Sequence, residues 1–471
     1  MKNPVIVWFR NDMRLDDHPA FVAAHETGRP LICLFIDDTQ TGCKDYYKGG
    51  AVRWWMHYAL TSLAQSLADK GGQLLIRSGD PLTILKSLIA ETGAEAVYWN
   101  RLYMPQEISR DTEIKSFLKS ENIDVKSFKA ALLKEPHEVK TMDGDSYKVY
   151  SPFRRAAEKQ GLDDNPLDCP ENMSFYATDH IRTEEISALF PLPQNPDWAV
   201  DMRREWDISE HAAHERLREF ADFALGDYKT GRDFPAKNYV SRMSPYLARG
   251  MITPRRILYM IRDFPDSKGK AHYISELLWR EFSYYLLFHY PHMETRNFRS
   301  EWDRFPWENN DEWFKAWKQG KTGVPIVDAG MRELRSTGYM HNRTRMLVGS
   351  FLVKHLLIDW RHGEAWFRDN LVDFDVASNV ASWQWVAGSG ADAAPYFRIF
   401  NPALQSKKFD PEGEYIKRHV SELMHIKYVH IHDPWEEGIK FNGHYPDKPL
   451  VDLKAGRDKA LEIYHSLKNT A

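Results

Sequence analysis

Five short apolar runs punctuate the first 135 or so residues: VIVWF at 5–9, PLICLFI at 30–36, QLLIR at 73–77, AVYWN at 96–100 and DVKSF at 124–128. They are too short for helices and rich in β-branched and aromatic residues, so they read as buried strands. Between them lie helical patterns, such as Trp54, Trp55, Tyr58, Leu60, Leu63 and Leu67. Another is Leu82, Leu85, Leu88 and Ile89 after the start signal Ser78-Gly79-Asp80-Pro81. Strand and helix in alternation impose right-handed crossovers, and residues 1–135 are predicted to form a doubly wound, mostly parallel sheet.

The first strand is not followed by G-x-G-x-x-G, and Gly71-Gly72 falls where a helix should end, which argues against a nicotinamide dehydrogenase. Residues 136–205 are rich in Pro, Asp, Glu and Asn with little periodicity, and are predicted to be a connector wrapping the surface. Residues 206–471 carry helical stripes, including Leu277, Leu278, Phe282, Tyr285 and Leu286, and then Met346, Leu347, Ser350, Phe351 and Lys354. The expected class is α/β plus all-α, with most of the tryptophans in the helical part.

With 63 Lys and Arg against 67 Asp and Glu, the formal charge is −4, so any nucleic-acid binding must rest on a local patch. Cys33, Cys43 and Cys169 form no CxxC pair, which argues against a disulfide framework or a cysteine metal site and fits a reducing compartment. The run Val5–Phe9 is too short for a signal peptide, and no stretch approaches the ~18 apolar residues of a membrane helix. A cytoplasmic monomer without membrane contact is expected.

GxSxG, HExxH, the Walker A loop and the kinase motifs are missing, which removes the commonest hydrolases and phosphoryl transferases. His289 and His292, near Glu294, read as packing in an aromatic segment, and no metal is expected. From 228 to 400, aromatics and guanidinium groups interleave, in LLWREFSYY at 277–285, GYMHNRTRM at 338–346 and DFDVASNVASWQW at 373–385. That mixture suits a pocket that stacks planar rings and pairs with phosphates.

WFRNDMRLDDHPA at 8–20 resembles the opening of the DNA photolyase and cryptochrome family. RDFP at 232–235, LLWREF at 277–282, KTGVPIVDAGMR at 321–332, MHNRTRM at 340–346 and DAAPYFRIFNP at 392–402 resemble its helical flavin domain. The likeness spans nearly the whole chain and is strongest to bacterial photolyases that repair cyclobutane pyrimidine dimers. It implies FAD in the helical domain, with Tyr228 and the run Val240, Ser241, Arg242, Met243 and Ser244 at its phosphates. Tyr273, Arg280, Arg345, Asp373, Phe374, Asp375 and Asn379 complete the implied flavin site. Val240 stands where the family usually has Thr, and Tyr273 where Trp is common. Asp373 and Asp375 also fit a helix N-terminus, and Arg345 is a natural ion partner for Asp373. Asn379 would face the flavin nitrogen that gains a proton, where a neutral amide does not oppose an anionic ring.

The resemblance further implies an electron-transfer chain of Trp307, Trp360 and Trp383. It implies a pocket for a flipped-out dimer from Glu276, Trp279, Asn342, Met346 and Trp385. Arg232, Arg280, Arg343, Arg398, Lys407 and Lys408 are implied phosphate contacts on DNA. Asn342 and Met346 stand where (6-4) photolyases typically carry His, which points to cyclobutane dimers. Glu107, with Gln106 before it, falls where folate-binding members contact the pterin. Arg53-Trp54-Trp55 would stack on it, implying a 5,10-methenyltetrahydrofolate antenna, with a deazaflavin or none as the alternative. The alternative function is a cryptochrome-type blue-light photoreceptor.

Overall fold

The five apolar runs are five strands: β1 Val5–Phe9, β2 Leu31–Asp38, β3 Leu74–Gly79, β4 Ala96–Asn100 and β5 Asp124–Phe128. In the computed structural model, which describes residues 2–393 and 398–469, they pair in parallel in the order β3-β2-β1-β4-β5. Successive side chains alternate between the two faces. Ile6, Trp8, Ile32, Leu34, Leu75, Val97 and Trp99 share one core with the helices α3 (Pro81–Thr92) and α4 (Pro105–Ser120). Val5, Val7, Phe9, Cys33, Phe35 and Tyr98 point the other way, to α1 (Pro19–Glu26), α2 (Gly50–Ala68) and a core continuous with the helical domain. The start signal at α3 works as its chemistry requires: Asp80 accepts the Thr83 N–H at 2.8 Å, Pro81 opens the helix, and Gly93 at φ +66° closes it.

The connector is more ordered than its composition predicts. Tyr150–Lys159 is a helix, α5, burying Tyr150, Phe153 and Ala157 on one stripe that the surrounding polar residues conceal in the sequence. After 206 the described residues hold helices and turns with no strand. Those that position the site are α6 (Ser244–Ala248), α7 (Lys268–His289), α8 (Pro325–Thr337), α9 (Asn342–Lys354), α10 (Trp360–Asn370), α11 (Val376–Ala387), α12 (Pro402–Phe409) and α13 (Leu453–Asn469). Block 321–332 is a structural knot, in which buried Asp328 on α8 accepts the Thr322 N–H at 2.7 Å, the Gly323 N–H at 3.0 Å and the Tyr445 hydroxyl at 2.5 Å. Among the described residues, no helix is long and apolar enough to cross a membrane.

Segment 8–20 clamps the two domains together. Fully buried Asp17 takes the Thr253 hydroxyl and the Arg255 guanidinium, and Arg14 donates to the Gly250 carbonyl at 2.8 Å. Asp16 pairs with Arg256, with 2.7 Å to its Nε. Burial pushes the Asp12 carboxyl up, but His18 at 3.0 Å, the Arg10 N–H and Arg14 outweigh it and hold it at about 2. Gly250 sits at φ +61°, and a Cβ there would stand 2.0 Å from the Asn11 carbonyl oxygen. Gly250→Ala therefore adds a left-handed penalty to a backbone clash, and is expected to lose about 2 kcal/mol or more in chemical unfolding.

Candidate functional site

Helices α6, α7, α9, α10 and α11 surround a cavity of about 550 Å³, in the range of cofactor sites. Tyr228, Val240, Ser241, Arg242, Met243, Ser244, Tyr273, Arg280, Arg345, Asp373, Phe374, Asp375 and Asn379 all line it. The sequence brings them together by local means. Asp375 caps α11 by accepting the Ser378 N–H at 2.7 Å, which fixes the Asp373–Asp375 turn at the cavity wall, and the Tyr284 hydroxyl also donates to it. Arg345, one turn into α9, meets Asp373 Oδ2 at 2.7 Å, and the Ser244 hydroxyl donates to the same oxygen at 2.6 Å. Ser244 is thus not the phosphate donor expected of it: its proton is held by the buried carboxylate. Arg242, at φ +54°, pairs with Glu205 and lies over Trp206 and Tyr339, which braces the run 240–244.

The residues present fit a flavin dinucleotide. Asp373 Oδ1 and Trp383 Nε1 are buried at this wall without a protein partner, and buried polar atoms of that kind call for a ligand. Burial raises the Tyr273 phenol well above its usual range, so it stays a donor. Asn379 Nδ2 donates to Glu364 Oε1 at 2.9 Å, and because a carboxylate can only accept, the amide is fixed with its oxygen left for the cavity. Arg368 holds the same Glu364 oxygen at 2.9 Å. Glu364 was not legible as a site residue, since only the fold sets it against Asn379.

At the mouth stand Glu276, Trp279, Asn342, Met346 and Trp385, all lining the same cavity. Trp279 lies flat on Tyr150 of α5, ring centroids 3.6 Å apart and 12° from parallel. The Tyr150 hydroxyl is anchored on the Ser275 carbonyl at 2.6 Å. Tyr150 backs Trp279, and the aperiodic connector gave no reason to suspect it. Asn342 and Met346 lie one turn apart on α9, while His341 is turned inward. It caps α9 by accepting the Arg343 N–H at 3.1 Å, and burial among Arg232, Arg343 and Arg345 lowers its imidazole to about 3.

Trp383 forms part of the cavity wall, 5.0 Å from Phe367 and against Gly363 of α10, where any Cβ would strike the indole at 2.2 Å. One turn earlier on α10, buried Trp360 donates its N–H to Asn297 at 3.0 Å. Half-buried Trp307 lies 4.2 Å from Phe305, beside the Glu308 N–H bond to Leu357. Trp383 thus lines the cavity, Trp360 is buried and Trp307 is partly exposed.

Several expected contacts are corrected. Arg280 is not available to DNA phosphates: it donates to the Ala131 carbonyl at 2.9 Å under the Tyr284 ring, with its side chain 13% exposed. Arg232 pairs with Glu276, and Arg343 with Asp233 while lying over Phe409, so both guanidinium groups are turned to protein carboxylates. Arg398, Lys407 and Lys408 are exposed, with Lys407 2.7 Å from Asp433; residues 394–397 of the 392–402 block lie outside the described residues. At the expected antenna, Glu107 is buried, caps α4 at the Met104 N–H and accepts from the Tyr47 hydroxyl at 2.7 Å. The cavity it lines holds about 20 Å³, room for one water and not for a pterin. Gln106 accepts from the Tyr46 hydroxyl. Trp54 and Trp55 are buried, Trp55 against Trp206 and Tyr246, and Arg53 lies over Phe190, so none of the three offers a stacking surface.

Comparison with known proteins agrees with this geometry. Residues 5–171 match the model of the DNA photolyase domain, and residues 273–466 that of the FAD binding domain of DNA photolyase. A deoxyribodipyrimidine photo-lyase of Agrobacterium fabrum is 45% identical over 99% of this chain and 98% of its own, and that of Escherichia coli 36% over 98% of each. Cryptochrome-2 of Arabidopsis thaliana is 34% identical over 97% of this chain and 78% of its own. The crystal structure of a bacterial class III photolyase from Agrobacterium tumefaciens superposes with a TM-score of 0.94 at 45% identity, covering all of this chain and 98% of that one. Two matched domains in the right order, and relatives aligned from end to end, establish that the chain belongs to the DNA photolyase family.

Proposed function

We propose that the chain repairs cyclobutane pyrimidine dimers in DNA. The observation that carries the reading is that one cavity joins a flavin-holding wall to a mouth lined by Glu276, Trp279, Asn342, Met346 and Trp385. Tyr228, the 240–243 run, Arg345, Asp373 and Asn379 would hold FAD there, and the bound, fully reduced flavin would supply the light-driven electron that opens the dimer. The protein's part is to bind and orient. Trp279, stiffened by Tyr150, and Trp385 give flat apolar faces to a dimer lifted out of the duplex. Glu276 reaches the dimer's polar edge, and the Asn379 oxygen accepts from a protonated ring nitrogen. Trp383, Trp360 and Trp307 form the route by which an electron reaches the cavity from the surface. The exposed Arg398, Lys407 and Lys408 supply charge for the DNA backbone, which reconciles binding with a net charge of −4.

Specificity follows from the mouth. Reversal of a (6-4) photoproduct needs a proton donor beside the lesion, for which His is suited near neutral pH. Asn342 and Met346 are not acids, and the nearby His341 is buried as a helix cap. Illuminating the reduced protein with DNA carrying one defined lesion of each kind is expected to restore the cyclobutane dimer and leave the (6-4) product intact. Efficient reversal of the latter would overturn both the specificity and the assignment of Asn342 and Met346. Glu276→Ala is expected to lower the yield of dimer splitting on the order of tenfold, the scale of a lost hydrogen bond to a charged group. Its flavin-to-protein absorbance ratio should match the parent's. Equal yields at saturating lesion would remove Glu276 from the lesion contact.

A further inference from the structure

His272 lies four residues before Glu276 on α7, so the two side chains share one helix face. Its Nε2 is 2.9 Å from Arg232 Nη1 and 3.5 Å from Glu276 Oε1, and the same Arg232 nitrogen is paired with that same Glu276 oxygen. All three groups meet at one point beside the cavity mouth. The Arg232 guanidinium also lies over the Tyr228 ring at 5.4 Å, so its plane is fixed from below. Arg has donors only, so the His272 nitrogen facing it must be the lone-pair nitrogen, which sets the ring as the neutral Nδ1–H tautomer.

We propose that His272 is a positioning residue for Glu276. Its neutral ring holds the Arg232 guanidinium against Oε1, and so turns Oε2 toward the lesion. This inference rests on the repair reading above. The Arg232 bond engages one carboxylate oxygen and leaves the other for substrate, and a guanidinium bridging an imidazole and a carboxylate cannot swing outward to phosphate without losing both. Protonating the ring removes the lone pair and places a second cation against Arg232. The imidazolium then competes with Arg232 for Oε1, and the carboxylate loses its fixed direction. The charged groups facing the ring are Glu276 on its own helix, with Arg232, Lys229 and Asp233 on the segment packed across it, where the Tyr228 ring also lies. Burial leads in lowering the imidazole below its ordinary 6.5, with Arg232 and Lys229 adding to it against Glu276 and Asp233, so the ring is neutral at pH 7.

The test compares parent, His272→Leu and His272→Gln as flavin-loaded, chemically reduced proteins, measuring repair per absorbed photon on saturating dimer DNA from pH 5 to 8. In the parent the yield should hold at pH 7 and fall as the solution is acidified below the ordinary histidine range. His272→Leu should lose about tenfold at pH 7 with unchanged flavin content. His272→Gln, which offers an acceptor that does not titrate, should recover most of that loss and lack the acid fall. An acid limb that persists in His272→Gln, or a full yield in His272→Leu, overturns the role. A readout independent of repair is the long-range ¹H–¹⁵N spectrum of the imidazoles, with the His272 signal assigned by its loss in His272→Gln. An Nδ1–H tautomer at pH 7 is expected, and an Nε2–H tautomer refutes the arrangement. A parent that shows this tautomer but repairs no dimer would instead overturn the proposed function and, with it, the role of His272.

Discussion

Light-driven reduction of oxidised flavin is expected to collapse to background in Trp383→Phe, while dimer repair by the chemically pre-reduced protein continues near the parent's yield. Phenylalanine keeps an aromatic ring against Gly363 and Phe367, and the indole N–H has no protein partner to lose. The packing change therefore costs about 1–3 kcal/mol, within what a domain of this size tolerates. What changes is the ease of oxidation: a benzene ring gives up an electron far less readily than an indole, and Trp383 is the member of the proposed route at the cavity wall. In the proposed repair cycle the electron returns to the flavin, so none is drawn through the tryptophans. Time-resolved absorption of the oxidised protein measures the first effect, and lesion turnover by dithionite-reduced protein the second. Normal photoreduction in Trp383→Phe would show that the electron enters elsewhere.

Arg345→Ala is expected to empty the flavin site. Asp373 has a side chain 3% exposed, and its Oδ2 is held by Arg345 and Ser244 while Oδ1 has no protein partner. Removing the guanidinium leaves a buried carboxylate with one hydroxyl for support, a change that costs about 3–5 kcal/mol. That loss falls on the turn that presents Phe374, Asp375 and, through the cap, α11 with Asn379. The purified variant should be colourless or nearly so, with a lowered unfolding midpoint. A parent-like flavin-to-protein ratio would show that the Asp373 turn holds its shape without the ion pair.

The sheet was legible because β1, β2 and β4 are short apolar runs buried on both faces, and the helix starts because Asp80-Pro81 carries its own mechanism. The cavity lining was legible through long motifs whose residues converge on it. Three kinds of feature were not. Tyr150 sits on a helix whose apolar stripe is diluted by charged neighbours, so composition hid it. Glu364 matters only because α10 packs on α11, a tertiary fact with no local signature. Burial was the third: Arg280, Arg232, Glu107 and Trp54-Trp55 look available in sequence, yet each is bound into the protein, while Arg398, Lys407 and Lys408 stay exposed. His272 was within reach, as the residue one helical turn before Glu276.

The clamp formed by residues 8–20 bears on how the protein is made. Arg14 and Asp17 find their partners 236 and 238 positions later in the chain, at Gly250 and Arg255. A ribosome adding about 5–20 residues per second leaves those contacts unmade for roughly 12 to 48 s. Throughout that interval the emerging sheet domain carries a carboxylate and a guanidinium that lack their helical-domain partners, and its second face has α1 and α2 but not the helical domain's share of the common core. The N-terminal half therefore waits for the rest of the chain before its buried charges are sealed, and the cavity, lined by residues from Tyr228 to Ala391, takes shape only after most of the polypeptide is made.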